Sequence, residues 1–141
     1  MTPETALLDA VLAALTAAPA VAAIVDDKVL DEVPNDRSPV KPPYVYAGPI
    51  NRQRVPDTCA RAWTMRMRLY AVSTGFGRRE AWTLADAVVA ALSRAELALP
   101  DPLEAVDPVT VTQAGDVINP PAPKTAFVDI TVTILEGNTD G

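Results

Sequence analysis

The chain of 141 residues has a net charge of −6, no histidine and a single cysteine, Cys59. A chain of this length buries enough surface for one independent core, so we expect a single domain spanning residues 1–141. The missing histidines exclude Ser-His and Cys-His nucleophile pairs and the most common transition-metal ligand, and one cysteine cannot form an intramolecular disulfide.

The N-terminal segment has the pattern of an amphipathic helix. Thr2 is a suitable N-cap, Pro3 fits the first helical position, and the predicted helix spans Glu4–Ala17 and ends before Pro19. Its apolar stripe comprises Leu7, Leu8, Val11, Leu12 and Leu15. A short helical turn is expected to follow at Ala20–Ile24.

Two short strands are predicted next. Lys28–Val33 is expected to form a brief strand that Pro34 ends, and Tyr44–Ala47 a second one after a loop. We interpret residues 48–60, which begin with Gly-Pro, as a polar connection to the following strand.

The stretch from Arg61 to Val72 alternates between apolar and polar residues, which predicts a half-buried strand. Its apolar positions are Trp63, Met65, Met67, Leu69 and Ala71, and its polar positions are Thr64, Arg66, Arg68 and Tyr70. Gly75 and Gly77 give the next turn backbone freedom. A helix over Arg78–Arg94 is predicted from the helical spacing of Trp82, Ala85, Val88, Val89 and Leu92.

Prolines divide the C-terminal part into two further strands. We predict one strand at Val109–Gln113 and, after a proline-rich loop at Asn119–Pro123, another at Ala126–Glu136. The elements together favour an α+β fold: a mainly antiparallel sheet of about five strands with two principal helices packed on its apolar face. The other face is expected to be polar. Trp63 and Trp82, which lie on the apolar stripes of their elements, are predicted to anchor the core.

Three patterns with possible chemistry have simpler explanations. The acidic run Asp26, Asp27, Asp31, Glu32 and Asp36 lacks EF-hand spacing and fits a solvated edge strand with its loops, so we predict no metal. Cys59 lacks a histidine base and fits a small loop residue. Gly75-Phe76-Gly77 lacks the Lys-Ser/Thr pair of a phosphate loop, and turn chemistry explains it.

Charge is segregated along the chain. The segment 52–79 has a net charge of +6, whereas residues 1–51 sum to −4 and residues 80–141 to −8. A basic segment between acidic ones suggests pairing within or between subunits rather than stable DNA binding. The candidate partner contacts are Arg52, Arg54, Arg61, Arg66 and Arg68. They fit either a protein interface or a solvated basic face.

The strand followed by GRREAWTLADAVVAAL resembles the tail-completion, or tail-terminator, proteins of long-tailed bacteriophages and phage-derived gene transfer particles. The N-terminal helix, the segments Val29–Pro34 and Pro43–Tyr46, and the C-terminal strand occur in the same order as in that family. The resemblance lies in order and spacing and covers most of the chain.

This resemblance implies a non-enzymatic virion protein without cofactors. It would form a ring, hexameric in the family, at the head-proximal end of the tail, where it ends tube growth. The implied partners are further copies of the chain, the tail-tube protein and the stopper, or head-completion, protein, with DNA passing the lumen without stable binding. A head-to-tail adaptor or stopper and a small carboxylate-dependent enzyme are the alternatives. No apolar run approaches the roughly 20 residues of a membrane span, so we expect no membrane partner.

Overall fold

The computed structural model describes residues 1–35, 37–56, 61–74, 78–117 and 124–137. These residues form helices α1 (Pro3–Ala17), α2 (Pro19–Val25) and α3 (Arg78–Leu92). The strands are β1 (Val29–Leu30), β2 (Tyr44–Arg54), β3 (Arg61–Val72), β4 (Leu103–Ala105), β5 (Thr110–Val117) and β6 (Thr125–Glu136). The α+β class predicted from the sequence is confirmed. Helix α2 corresponds to the short helical turn predicted at Ala20–Ile24, and the described part contains one strand more than the five predicted.

The six strands form one curved sheet with the order β1-β2-β3-β6-β4, and β5 also pairs with β6. Strands β3 and β6 pair along their whole length, from Arg61 opposite Glu136 to Val72 opposite Thr125. Because β5 pairs with the first part of β6 and β4 with its last residues, these two short strands share one edge of the sheet. We call the end where β3 begins and β6 ends the hairpin end.

The sheet is mixed, whereas the sequence predicted a mainly antiparallel one. Val29 and Leu30 of β1 pair in parallel with Val45 and Tyr46 of β2, and the other pairings are antiparallel. Parallel neighbours need a crossover of roughly a dozen residues or more, and the segment between β1 and β2 is long enough to return the chain to the same end.

Strand β2 is longer than predicted and continues through Gly48 and Pro49 to Arg54. The pairing with β3 shifts between Ala47 and Ile50, so a bulge accommodates these two residues without ending the strand. The interpretation of residues 48–60 as a connection is therefore wrong as far as Arg54. Strand β4 was not predicted, because three residues between prolines are too few to show a period.

Helices α1 and α3 pack on one face of the sheet, and α2 packs against both of them. Helix α1 contacts β1 and β2, and α3 contacts β3, β5 and β6. Thr2 caps α1 as predicted, its side chain accepting a hydrogen bond from the backbone nitrogen of Thr5 at 3.1 Å. The largest fully buried side chains are Leu7, Leu15, Met65, Met67, Leu69, Leu84, Leu92, Ile130 and Ile134.

Trp82 is not a core anchor, which corrects the sequence prediction. It is 40% exposed, whereas Ala81, Leu84, Ala85 and Val88 form the buried face of α3. Trp82 follows Ala81 by one residue, about 100° around a helix, and so projects from the margin of the buried stripe. Trp63, the other predicted anchor, is partly buried against the core.

Among the described residues no single helix has the length and apolarity to span a membrane. Helices α1 and α2 satisfy both criteria only when taken together, and the chain bends by 83° between them.

Candidate partner interface

Three candidate arginines project from the helix-covered face of the sheet. Arg54 lies opposite Trp63 and Arg52 opposite Met65, and directly opposed residues of antiparallel strands share a face. Arg61 lies two residues before Trp63 on β3 and therefore shares that face as well. These positions follow from the extended β2, which places Arg52 and Arg54 on a strand rather than in a loop.

Glu136 is the centre of a charge cluster at the hairpin end. Its carboxylate lies 3.8 Å from Nη1 of Arg52 and 3.7 Å from Nη1 of Arg61, and it accepts a hydrogen bond from the indole of Trp63. Arg52 also pairs with Glu4 of α1 at 3.1 Å and lies 4.5 Å above the Trp63 ring. The cluster neutralises Arg52 and connects α1 to the sheet, so Arg52 has internal partners for its charge.

Arg66 and Arg68 project from the opposite, uncovered face, but only Arg68 is fixed there. Its guanidinium donates to both carboxylate oxygens of Asp129, at 2.7 and 3.0 Å, and lies 4.2 Å above the Phe127 ring. The hydrogen bonds to Asp129 and then to Tyr70 raise the pKa of Arg68 above its ordinary value. Arg68 therefore stabilises the cross-strand packing of β3 and β6.

On the uncovered face, aromatic rings pack over glycines of the neighbouring strands. Tyr46 and Tyr70 stack with their centroids 4.9 Å apart. A Cβ at Gly48 would lie 2.5 Å from the Tyr70 ring, and one at Gly115 would lie 2.8 Å from the Phe127 ring. Burial, followed by the neighbouring tyrosines, raises the pKa of Tyr46. The face is thus a packed layer of rings and one ion pair rather than a loosely solvated surface.

Arg54 and Arg66 are the candidates whose charge has no acidic partner among the described residues. Arg66 donates only to the amide oxygen of Gln53, at 3.3 Å, and Arg54 has no ion pair there. Arg66 borders a depression of about 500 Å³ on the uncovered face, which Pro49, Asn51 and Asp129 also line. Within the described chain, the charges of these two arginines are therefore left to solvent or to a partner.

Sequence reasoning missed the row of tyrosines on this face. Tyr44, Tyr46 and Tyr70 are each half-buried, and the centroids of Tyr44 and Tyr46 are 6.1 Å apart. The period-two spacing of Tyr44 and Tyr46 is a signal for a shared face. The ring-on-glycine packing needs the cross-strand register, which no local pattern contains.

Several positions with predicted roles lie outside the described residues: Asp36, Cys59, Gly75-Phe76-Gly77 and residues 119–123. The rest of the acidic run is described, and Asp26, Asp27, Asp31 and Glu32 are exposed around β1. No group of three or more potential metal ligands comes together within the described parts of the chain.

One face of the sheet is buried under helices, and the other carries packed aromatic rings and an arginine without an acidic partner among the described residues. This composition suits a protein contact, because aromatic residues and arginine are enriched at interfaces. The comparison with protein families gives the class a name. The model of the family Tail completion protein gp17 matches residues 9–135, so the chain belongs to that family. The resemblance seen in the sequence is thereby confirmed.

A solved structure supports the same assignment. The chain is similar to one in a structure titled "Virion of native gene transfer agent (GTA) particle", with a TM-score of 0.81 and 25% sequence identity. The similarity covers 95% of this chain and 97% of the other, so the two folds correspond over nearly their full lengths. The comparison with curated proteins finds no match.

Proposed function

We propose that this tail-completion protein is a tail terminator, which forms a hexameric ring at the head-proximal end of the tail, stops tube growth and joins the tail to the stopper protein. One observation carries the proposal: nearly the whole chain has the fold of a chain in a native gene transfer agent virion. The family match over residues 9–135 supports a structural role in the tail and a location in the virion, after synthesis in the cytoplasm of the bacterial host.

A ring accounts physically for termination. A head-to-tail contact whose rotation closes produces a ring with two chemically different flat faces. One face matches the end of the tube, and the other lacks the recognition surface of the tube subunit. Growth therefore stops there, and a different partner binds.

The packing of arginines suits a ring through which DNA passes. Contacts to phosphates accumulate affinity, so unpaired cations in a lumen would slow the passage of DNA. Arg52, Arg61 and Arg68 each have a carboxylate within 4 Å. Arg54 and Arg66 remain for contacts with protein partners.

A head-to-tail adaptor or stopper is the second candidate, because such a protein also occupies the junction of head and tail. An enzyme is the less favoured alternative, since the family is one of structural tail proteins. A terminator and a stopper or adaptor differ in their effect on the tail tube, because of the two only the terminator stops its growth.

The test is electron microscopy of particles produced without this protein. We expect tubes longer than normal and of irregular length, unattached heads, and recovery of both defects when the chain is supplied from a plasmid. Tails of normal length that fail to join heads would identify a stopper or adaptor instead. Normal joined particles would contradict a role in tail completion.

A further inference from the structure

The hairpin end of the sheet has two open edges. Strand β1 pairs only with Val45 and Tyr46, so β2 from Ala47 to Arg54 is an edge on one side. On the other side β4 is the outermost strand, since it pairs only with β6. Edge strands are places where another chain can contact the sheet.

The β2 edge at this end is basic. Arg54 is exposed and has no ion pair among the described residues. Arg61 is 68% exposed, and its 3.7 Å contact with Glu136 is long for an ion pair and is shared with Arg52. Two guanidinium groups therefore face solvent beside the open part of β2.

The β4 edge at the same end is a groove of opposite charge. The groove has a volume of about 460 Å³, and its wall contains no lysine or arginine. Its apolar lining includes Leu97, Leu99 and Val106, and Val106 is 59% exposed. Its exposed carboxylates are Glu96, Asp101, Glu104 and Asp107. An arginine suits such a groove, because its stem packs on apolar groups while its head pairs with carboxylates.

At the opposite end of the sheet, exposed acids beside β1 outnumber the cations Lys28 and Lys41, and the β5 side carries the basic start of α3. The exposed acids beside β1 are Asp26, Asp27, Asp31 and Glu32, and the exposed arginines of α3 are Arg78 and Arg79. Arg78 pairs with Asp116 of β5 at 3.2 Å, and Arg79 has no ion pair within the described chain.

We propose that the β2 edge of one copy docks against the β4 groove of the next copy, with Arg54 entering the acidic groove. A second copy is the occupant because the complementary surfaces lie on opposite sides of one chain, and placing copies side by side brings both pairs of opposite charge together. Such a contact is heterologous and extends from copy to copy until it closes. This inference rests on the proposed ring and identifies the two surfaces that form it.

The test uses charge reversal at the two edges. Four full-length proteins are compared with the natural chain: Arg54→Glu, Glu104→Arg, the double variant Arg54→Glu/Glu104→Arg, and Asp86→Arg as a control. Asp86 is an exposed acid on α3 outside both edges, so its reversal changes the net charge as Glu104→Arg does. Oligomer size is measured by mass photometry and sedimentation, ring assembly on tail tubes by electron microscopy, and folding by circular dichroism.

We expect each single edge variant to remain folded and to form at least about tenfold fewer rings, because each opposes like charges at every contact. The double variant is expected to recover ring formation. An equimolar mixture of the two single variants is also expected to recover it, because alternating copies restore an opposite-charge pair at every contact. Asp86→Arg should assemble normally.

Normal ring formation by both single variants would overturn this inference while the terminator role stands. Normal rings that fail to join heads or tubes would assign the edges to a different partner and would also overturn it. Loss of rings with no recovery in the double variant or the mixture would show that the two residues do not pair. If the natural chain forms rings neither in solution nor on tubes, the ring proposal fails, and this inference fails with it.

Discussion

Arg68 is held by several contacts at once, and this separates it from Arg66. It donates two hydrogen bonds to Asp129 and covers the Phe127 ring, while Arg66, within the described chain, has one long hydrogen bond, to Gln53. The pair with Asp129 joins β3 to β6, the central strands of the sheet. The two arginines are neighbours on one face, but Arg68 stabilises the fold, whereas Arg66 is the one that we propose for a partner contact.

We predict that Arg68→Met lowers the free energy of unfolding by about 1 kcal/mol, because a bidentate but partly exposed ion pair contributes about this much. Arg66→Met is the matched control and should change it by less than about 0.5 kcal/mol. Urea melts followed by circular dichroism provide the measurement. Equal losses for both variants would show that the contact with Asp129 contributes nothing particular.

Arg66→Glu alone is therefore the proper test of a partner contact on the uncovered face. Reversing Arg66 and Arg68 together would place a new carboxylate beside Asp129 and would destabilise the sheet as well as alter its surface. We expect Arg66→Glu to fold normally and to reduce head-tail joining in a complementation assay. Normal joining by this variant would leave Arg66 as a solvated charge.

The absence of a side chain at Gly48 is a packing requirement imposed by Tyr70. An added Cβ would lie 2.5 Å from a Tyr70 ring carbon and 3.1 Å from the Arg68 carbonyl oxygen. We predict that Gly48→Ala costs about 1 to 3 kcal/mol, because the ring must leave its stack on Tyr46. In a Tyr70→Ala background the same change should cost clearly less, as a double-mutant cycle of denaturant melts would show. An unchanged cost would mean that the backbone, and not the ring, excludes the methyl group.

At the scale of elements, α3 shows how a helical pattern and true burial differ. Leu84 is fully buried, whereas Trp82 is 40% exposed at the margin of the helix. We predict that Leu84→Ala destabilises the protein by about 2 to 5 kcal/mol, as truncation of a buried leucine does. Trp82→Ala should cost only about 1 kcal/mol, the ordinary size for a partly exposed residue. Thermal and urea melts would reverse our assignment if the tryptophan variant lost more stability than the leucine variant.

The elements predicted best are those whose period is set by a single buried face. Strands β3 and β6 alternate with few exceptions, and the predicted bounds of both lie within two residues of the observed ones. Both principal helices were also found, although α3 ends at Leu92 rather than Arg94. Burial on one side imposes a local pattern, and a local pattern is visible in a sequence.

The features that the sequence did not predict depend on distant contacts. The chain continues as β2 through Gly48 and Pro49 because a bulge and the Tyr70 ring accommodate them. The parallel position of β1 depends on where a long connection returns. The sequence proposes five arginines as partner contacts, but it does not predict their division between two faces, because that follows from the register of β2 on β3, which a local pattern does not specify.

At the scale of the whole molecule, the surface is organised by charge as much as by shape. The net charge is −6, yet the central segment carries seven of the chain's arginines and is basic. The fold distributes these arginines over both faces and both ends of the sheet, and pairs four of them with acids: Arg52, Arg61, Arg68 and Arg78. No continuous basic face results in the described part of the chain, which agrees with the proposed passage of DNA through a ring.

We therefore predict that the natural protein binds short duplex DNA no more tightly than about 10⁻⁴ M at physiological salt, the weak limit of non-specific binding. Glu136→Gln removes the carboxylate shared by Arg52 and Arg61, and it should strengthen binding and make it more salt-dependent, because Arg61 loses its neutralising partner while Arg52 keeps Glu4. Fluorescence anisotropy of a labelled duplex over a range of salt concentrations provides the measurement, with Asp86→Asn as a control that removes one exposed acid elsewhere. Micromolar binding by the natural chain would identify DNA as a ligand and contradict its free passage. An equal gain in Asp86→Asn would show that net charge, and not the pairing at Glu136, governs the interaction.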